Sequence, residues 1–127
     1  MATVLLYNFT DPERRGRVRF CLFRLGLSCV EVPPERQGDP LGLLLGLPGY
    51  APGEAVEPFS GEMLVMHALS REQFGSLLEE LRRSRVPVAL KAVVTDTNIA
   101  WSSAQLHREL AAEHAAMAAR ARSVHRN

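Results

Sequence analysis

The sequence has almost no excess of either charge. Its 15 basic and 14 acidic residues leave a net charge of +1 over 127 residues, whereas a nucleic-acid-binding domain normally carries a strong basic excess on one face. Arg14, Arg15, Arg17 and Arg19 are close in sequence, but a helix would spread them around its axis. The composition therefore argues against a nucleic-acid partner.

Cysteines are equally scarce. Cys21 and Cys29 are the only two, and they lie eight residues apart without a CxxC pair. That spacing indicates neither a disulfide framework nor a zinc site. We predict no metal ligands, and no motif identifies a cofactor.

The chain also lacks a long apolar run. No segment has the length of a membrane span, and the first ten residues, MATVLLYNFT, lack the basic leader of a signal peptide. We therefore expect a cytoplasmic protein without a membrane partner.

Lysine and tryptophan occur once each, as Lys91 and Trp101, and both lie within residues 88–101. Every other basic side chain that carries a permanent charge is an arginine. An ammonium differs from a guanidinium in hydration, in geometry and in its ability to lose a proton. Lys91 is therefore a candidate functional lysine. The alternative is a structural role, with the lysine stem packed on an edge strand and the head in water.

The composition is typical of a folded domain. Hydrophobic residues make up 46% of the chain and charged residues 23%, as in ordinary globular proteins. We predict a single α/β domain over residues 1–122, followed by a frayed C-terminal tail at 123–127. Residues 33–61 hold most of the prolines and glycines, which predicts a long apolar connection that packs on the domain or on a partner.

Strands and helices alternate along the rest of the chain. Apolar or alternating segments predict strands at 4–7, 29–32, 63–69 and 88–95. Three pairs have the spacing of a helix-opening capping box, namely Thr10 with Glu13, Ser70 with Gln73 and Ser102 with Gln105. The helices that follow each carry one apolar stripe, and the last helix is alanine-rich and long.

This alternation predicts an α/β fold. We expect a four-stranded, mostly parallel sheet of order 2-1-3-4, with helices on both faces and a long C-terminal helix. The long link between the second and third strands favours this doubly wound arrangement, because a hairpin would need far fewer residues. A ferredoxin-like α+β sandwich is the alternative.

Several segments resemble a bacterial family known only as domain of unknown function 3783. The resemblance covers most of residues 3–117. It is carried by VLLYNFTD, PLGLLLGLPG and GEMLVMHALS, and above all by a pattern of eight residues: Lys91, Ala92, Val93, Val94, Thr95, Thr97, Asn98 and Trp101. The resemblance implies one bacterial domain and supplies no reaction, substrate or catalytic residue.

Polar side chains follow three of the predicted strands. In a doubly wound sheet, ligands bind outside the carboxyl ends of the strands, and short hydroxyl and amide groups beside helix N-termini suit an anion or a small polar molecule. The predicted ligand-binding residues are Asn8, Thr10, His67, Thr95, Thr97, Asn98 and Trp101. This prediction requires that Asn8, His67 and Asn98 lie on one common rim.

Three hypotheses for function follow. The first is a non-catalytic module that binds a small polar or anionic ligand, or a protein partner, at the loops after strands one, three and four. The second is a small enzyme with a pocket built from Lys91, Thr95 and His67. The third is a structural domain that forms a homodimer through residues 104–121, where alanines leave the last helix slim.

Overall fold

The computed structural model describes the backbone of residues 1–126 and the side chains of residues 1–122. Its elements are, in chain order, β1 (Thr3–Tyr7), α1 (Pro12–Arg24), β2 (Ser28–Val32), a short 3-10 helix (Pro34–Arg36), α2 (Leu41–Leu44), β3 (Met63–His67), α3 (Arg71–Arg83), β4 (Leu90–Val93) and α4 (Ser103–Arg126). The predicted frayed tail, 123–127, lies outside the described side chains, and its fraying stays a prediction.

The four strands form one sheet of order β2-β1-β3-β4, as predicted. β1 pairs with β2 in parallel, and β3 pairs with β4 in parallel. The central pair, β1 with β3, is antiparallel, so the sheet is mixed. The ferredoxin-like alternative is wrong, because there another strand would separate β1 from β2, whereas here the two are direct neighbours.

Helices cover both faces of the sheet, as predicted. One face packs against α1 and α3, and its core consists mainly of Val4, Leu6, Leu64 and Met66 from the strands with Val18, Leu22, Leu77 and Leu81 from the helices. The other face packs against α2 and α4 through Leu5, Tyr7, Met63, Val65, Leu41, Leu44 and Leu106. Alternate residues of β1 and β3 therefore belong to opposite layers, as the two-residue period of a strand requires.

The helix starts follow the predicted capping signals in two of three cases. Ser70 and Gln73 form the complete capping box of α3, and the Ser102 hydroxyl accepts a hydrogen bond from the Gln105 backbone N–H. The Thr10–Glu13 box is wrong. Asp11 caps α1 instead, because its carboxylate accepts from the backbone N–H of Glu13 at 2.9 Å.

The connection over residues 33–61 packs on the domain through backbone hydrogen bonds. The Leu41 N–H donates to the Trp101 carbonyl, and the Gly42 N–H donates to the Ile99 carbonyl, both at 2.9 Å. The Ala104 N–H donates to the Gln37 carbonyl. These bonds join the connection to the segment between β4 and α4, so the two loops form one layer.

Candidate functional site

The predicted common rim is not formed, because β1 and β3 run in opposite directions. Thr3 is the partner of His67, and Tyr7 is the partner of Met63. Asn8 follows Tyr7, so Asn8 and His67 lie at opposite ends of the sheet, roughly 16 Å apart along the strands. β4 is parallel to β3, so Thr95 and Asn98 follow it at the His67 end. The prediction that Asn8, His67 and Asn98 are neighbours is wrong.

The side-chain amide of Asn8 forms hydrogen bonds within the fold. Its φ of 64° places it in the left-handed region, and its Nδ2 donates to the carbonyl oxygens of Phe59 and Gly61, both at 2.9 Å. The fully buried Gln37 donates to its Oδ1 at 3.4 Å. Asn8 therefore fixes the end of the long connection against β1.

Thr95 and Asn98 hold each other in a closed turn. The Asn98 Oδ1 accepts from the Thr95 N–H at 2.8 Å, and the Thr95 hydroxyl accepts from the Asn98 N–H at 3.1 Å. The Asn98 Nδ2 also donates to the Val93 carbonyl. Thr97 is exposed on the same turn. The buried amide of Asn98 thus has its bonding partners within the protein.

Trp101 and Thr10 have different surroundings. Trp101 is half-buried against the cluster that contains Leu106, in keeping with a packing role before α4. Thr10 is exposed at the start of α1. Together with Asn8, Thr10 lines a cavity of about 350 Å³ at the carboxyl ends of β1 and β2, whose charged residues are Arg15 and Glu31. Binding of a polar or anionic ligand there stays a prediction.

The pocket of the enzyme hypothesis is not assembled. Lys91 is the partner of Leu64, which belongs to the α1 and α3 face. His67 follows Met66 of that same face and therefore points to the opposite one. The Lys91 ammonium donates to the Val88 carbonyl. Lys91 and His67 thus belong to strand positions with opposite orientation, three residues apart in register, and do not form one pocket.

The prominent open feature is the edge of β4. The backbone N–H of Val94 donates to the Met66 carbonyl at 2.9 Å, which shows that Val94 and Ala92 present their backbone groups to β3. Because these groups alternate along a strand, the N–H and C=O of Lys91 and the N–H of Val93 point away from the sheet, while the outward Val93 carbonyl already accepts from the Asn98 Nδ2 at 3.1 Å. An exposed strand edge of this kind can pair with another chain.

Apolar cavities flank this edge on the α3 side. Two cavities of about 310 and 430 Å³ lie between α3 and β4, and we call them together the α3–β4 groove. Their lining includes Leu69, Phe74, Leu78, Leu81, Val88 and Val93. Val93 is 47% exposed. The charged residues that line the groove are Arg71, Arg82 and Lys91, all cationic.

Helix α4 extends beyond the same edge on the other face. The helix begins beside β1, where the Ser103 hydroxyl is 2.6 Å from the Tyr7 hydroxyl. By Leu110 the helix has reached Leu90 of β4, and Met117 also borders that strand. Met117 is 66% exposed. The second half of α4 therefore lies past the last strand of the sheet.

Sequence reasoning placed the fourth strand at an edge, through the predicted order 2-1-3-4, but did not single out this edge as a binding surface. In the structure the residues of β4 alternate between half-buried and exposed. Nothing in the sequence revealed that α3 and α4 both extend alongside this edge.

The described part of the chain gives no sign of a metal site or a membrane span. No three His, Cys, Asp or Glu side chains among the described residues cluster in a way that could hold a metal ion. None of the helices in that part is both long and apolar enough to cross a membrane.

Comparison with known proteins identifies one family. The family model described as Domain of unknown function (DUF3783) matches residues 62–117, which span β3, α3, β4 and the first part of α4. The predicted resemblance is therefore confirmed over that segment, and it stays a prediction for residues 3–61. No curated protein matches the chain.

Proposed function

We propose that this protein is a non-catalytic module that binds an extended segment of a protein partner along the free edge of β4. The observation that carries the proposal is the outward direction of the Lys91 N–H and C=O and of the Val93 N–H at an edge flanked by apolar side chains. A partner strand would gain main-chain hydrogen bonds from the edge and side-chain contacts from its two sides.

The surroundings of the edge suit a fifth strand. On one face the strand would cover the α3–β4 groove, where Phe74 and Leu78 are half-buried. On the other face it would lie near Met117 of α4. Burial of such apolar area contributes roughly 25 cal/mol per Å² before the costs of ordering the partner.

Charge defines the partner further. Arg71 and Lys91 line different cavities of the groove, and both are exposed. Arg82 is paired with Glu79 on α3. Among the described residues, no carboxylate lines the groove. The expected partner is therefore an extended segment in which apolar residues alternate with acidic ones.

The opposite edge of the sheet is less open to a partner. Glu31 of β2 accepts a hydrogen bond from Arg19 at 2.9 Å, and two prolines follow the strand directly. Charges and prolines are common ways to protect an edge strand. Of the two edge strands, β4 is therefore the more accessible to a partner and is the expected binding edge.

Selection from a displayed library of random peptides tests the proposal. The full-length protein is expected to enrich peptides in which apolar and acidic residues alternate, and the selected peptide then serves as the probe in binding assays. The Val93→Pro variant removes one outward N–H donor while it leaves the ladder with β3 intact. We expect it to weaken peptide binding by about tenfold, the size of one lost hydrogen bond.

The matched control is Val93→Thr, which keeps the N–H donor and the branched shape and is expected to bind within about threefold of wild type. Lys91→Glu should also weaken binding of the acidic peptide. Thermal unfolding of each variant shows that the fold is retained. Failure to enrich any peptide, or equal binding by the proline and threonine variants, contradicts the proposal.

The remaining predictions about location and assembly are separate from this surface. A cytoplasmic location stays a prediction. The predicted homodimer through residues 104–121 is also a proposal, and it concerns the exposed side chains of α4.

A further inference from the structure

The outward side of α4 carries a regular row of exposed residues. Its members are spaced by three or four positions, which places them on one side of a helix. They are Glu109, Ala112, Glu113, Ala116, Met117 and Arg120, and we call this row the α4 outward face. It adjoins the side of the helix that carries Leu106 and Leu110, and its members Glu113 and Met117 also line a cavity against β4.

We infer that the α4 outward face pairs with the same face of a second copy of this chain, with the two helices antiparallel. The charges on this face are complementary under a two-fold axis. When the axis passes between Ala112 and Met117, Glu109 of one copy lies opposite Arg120 of the other, and the same pair forms again at the far end. Ala112 then faces Met117, and Glu113 faces Ala116.

The size of the side chains suits close contact. Alanines at positions 112 and 116 let the two helix backbones approach to about 8 Å, the short end of the usual range. Met117 is 66% exposed and would be covered by Ala112 of the second copy. A flexible thioether adapts well to such a shallow surface.

The charged residues on this face are available for a partner. Within the described part of the chain, no ion pair involves Glu109, Glu113 or Arg120. A parallel pairing would instead place Glu109 against Glu109 and Arg120 against Arg120, so the charge pattern selects the antiparallel arrangement.

The position of the face in the molecule also favours pairing. The described side chains in the second half of α4, at residues 115–122, are mostly exposed, and an isolated helical segment of this length is only marginally stable in water. Packing against a second helix would stabilise it. Met117 would border both this second helix and a strand bound at the β4 edge, whereas the pairs between Glu109 and Arg120 concern the dimer alone.

Sedimentation equilibrium of the full-length protein tests the inference. The wild type is expected to show a reversible monomer–dimer equilibrium. Glu109→Arg and Arg120→Glu each convert both end pairs to repulsion, and each should raise the dimer dissociation constant by about tenfold. The double variant, which exchanges the two charges, should dimerise as the wild type does.

Two adjacent alanines provide a matched control. Ala116→Glu places a carboxylate on the outward face opposite Glu113 of the second copy and should weaken the dimer by about tenfold or more. Ala115→Glu makes the same substitution about 100° around the helix and should leave the equilibrium unchanged. Circular dichroism verifies that both variants remain folded.

Three results would overturn the inference. They are a wild type that stays monomeric at high concentration, an equal effect of the two alanine substitutions, and a double charge exchange that fails to restore dimerisation. Because peptide binding at β4 is measured separately, failure of the dimer leaves the test of the proposed function intact.

Discussion

Single polar side chains hold the loops of this protein in place. Gln37, Asn8 and Asn98 are all amides, and each bonds to backbone groups of a loop that has no regular structure. Gln37 accepts from the Phe59 N–H at 2.9 Å and is completely buried. These residues consequently belong to the architecture, although their residue types and positions resemble those of a ligand site.

The side-chain amide of Asn98 is expected to contribute to the stability of the protein. Asn98→Ala removes the two hydrogen bonds of a buried side-chain amide and leaves the Thr95 N–H and the Val93 carbonyl without this partner. We expect a loss of about 2 to 3 kcal/mol in the free energy of unfolding. Urea denaturation measures it. Thr97→Ala, at an exposed position of the same turn, should change stability by less than about 0.5 kcal/mol, and equal effects of the two variants would refute the assignment.

His107 makes stability depend on pH. Its ring stacks on Phe59 with centroids 4.0 Å apart, and partial burial lowers its pKa below the usual value. The unfolded chain therefore binds the proton more readily than the folded one, so stability from this residue is complete above about pH 6.5. It is lost as the pH falls through the lowered pKa.

The His107→Phe variant tests the predicted loss of stability at low pH. Phenylalanine keeps an aromatic ring against Phe59 and cannot titrate. Between neutral pH and about pH 5 the variant should lose less stability than the wild type does, as followed by thermal unfolding at a series of pH values. An identical pH dependence in both proteins would contradict the role of His107.

At the scale of elements, the long connection is held by close backbone approach. A Cβ atom on Gly38 would overlap the Glu54 carbonyl oxygen, and one on Gly53 would overlap the Gly38 carbonyl. Both overlaps involve backbone atoms, which have little freedom to move aside. The two glycines therefore let the backbone at residues 38 and 53 pass closely within the connection.

Gly38→Ala should destabilise the protein by about 1 to 3 kcal/mol, because the backbone near Glu54 must shift. The control is Gly16→Ala in α1, where a Cβ meets no atom within 4 Å. That variant should be more stable than wild type by up to about 1 kcal/mol through helix propensity. Chemical denaturation of both variants gives the comparison, and a neutral Gly38→Ala would count against this account of the connection.

The helix ends show where local sequence rules suffice. Ser70 with Gln73 was predicted correctly because no neighbouring residue competes for the cap of α3. At α1 both Thr10 and Asp11 precede Pro12, and either can cap. The structure uses Asp11, since Pro12 occupies the first turn. A left-handed Gly26, with φ of 69°, follows the C-terminus of α1, as is common at helix ends.

At the scale of the whole molecule, strand order was predictable and strand direction was not. The continuous apolar character of β1 and β3 placed them at the centre of the sheet. The direction of β3 depends on where residues 33–61 return to the sheet, and a connection of that length can reach either end. Asn8 and His67 were therefore assigned to one rim, while the antiparallel pair places them at opposite ends.

The strand order of the sheet also creates the exposed edge of β4. Because β4 is the last strand, its outer backbone groups have no partner strand within the sheet. α3 and α4 extend along the two faces of β4 and place apolar side chains beside its outer edge. Assembly of the sheet, rather than any local motif, produces the surface on which the proposed function depends.

Amide hydrogen exchange of the full-length protein, with and without the selected peptide, tests the central claim most directly. In the free protein the N–H groups of Ala92 and Val94 should be protected by β3, whereas those of Lys91 and Val93 should exchange rapidly. Peptide binding should slow exchange at Lys91 and Val93 specifically. Binding that leaves these two amides unprotected would contradict the proposal that a partner strand pairs with the edge of β4.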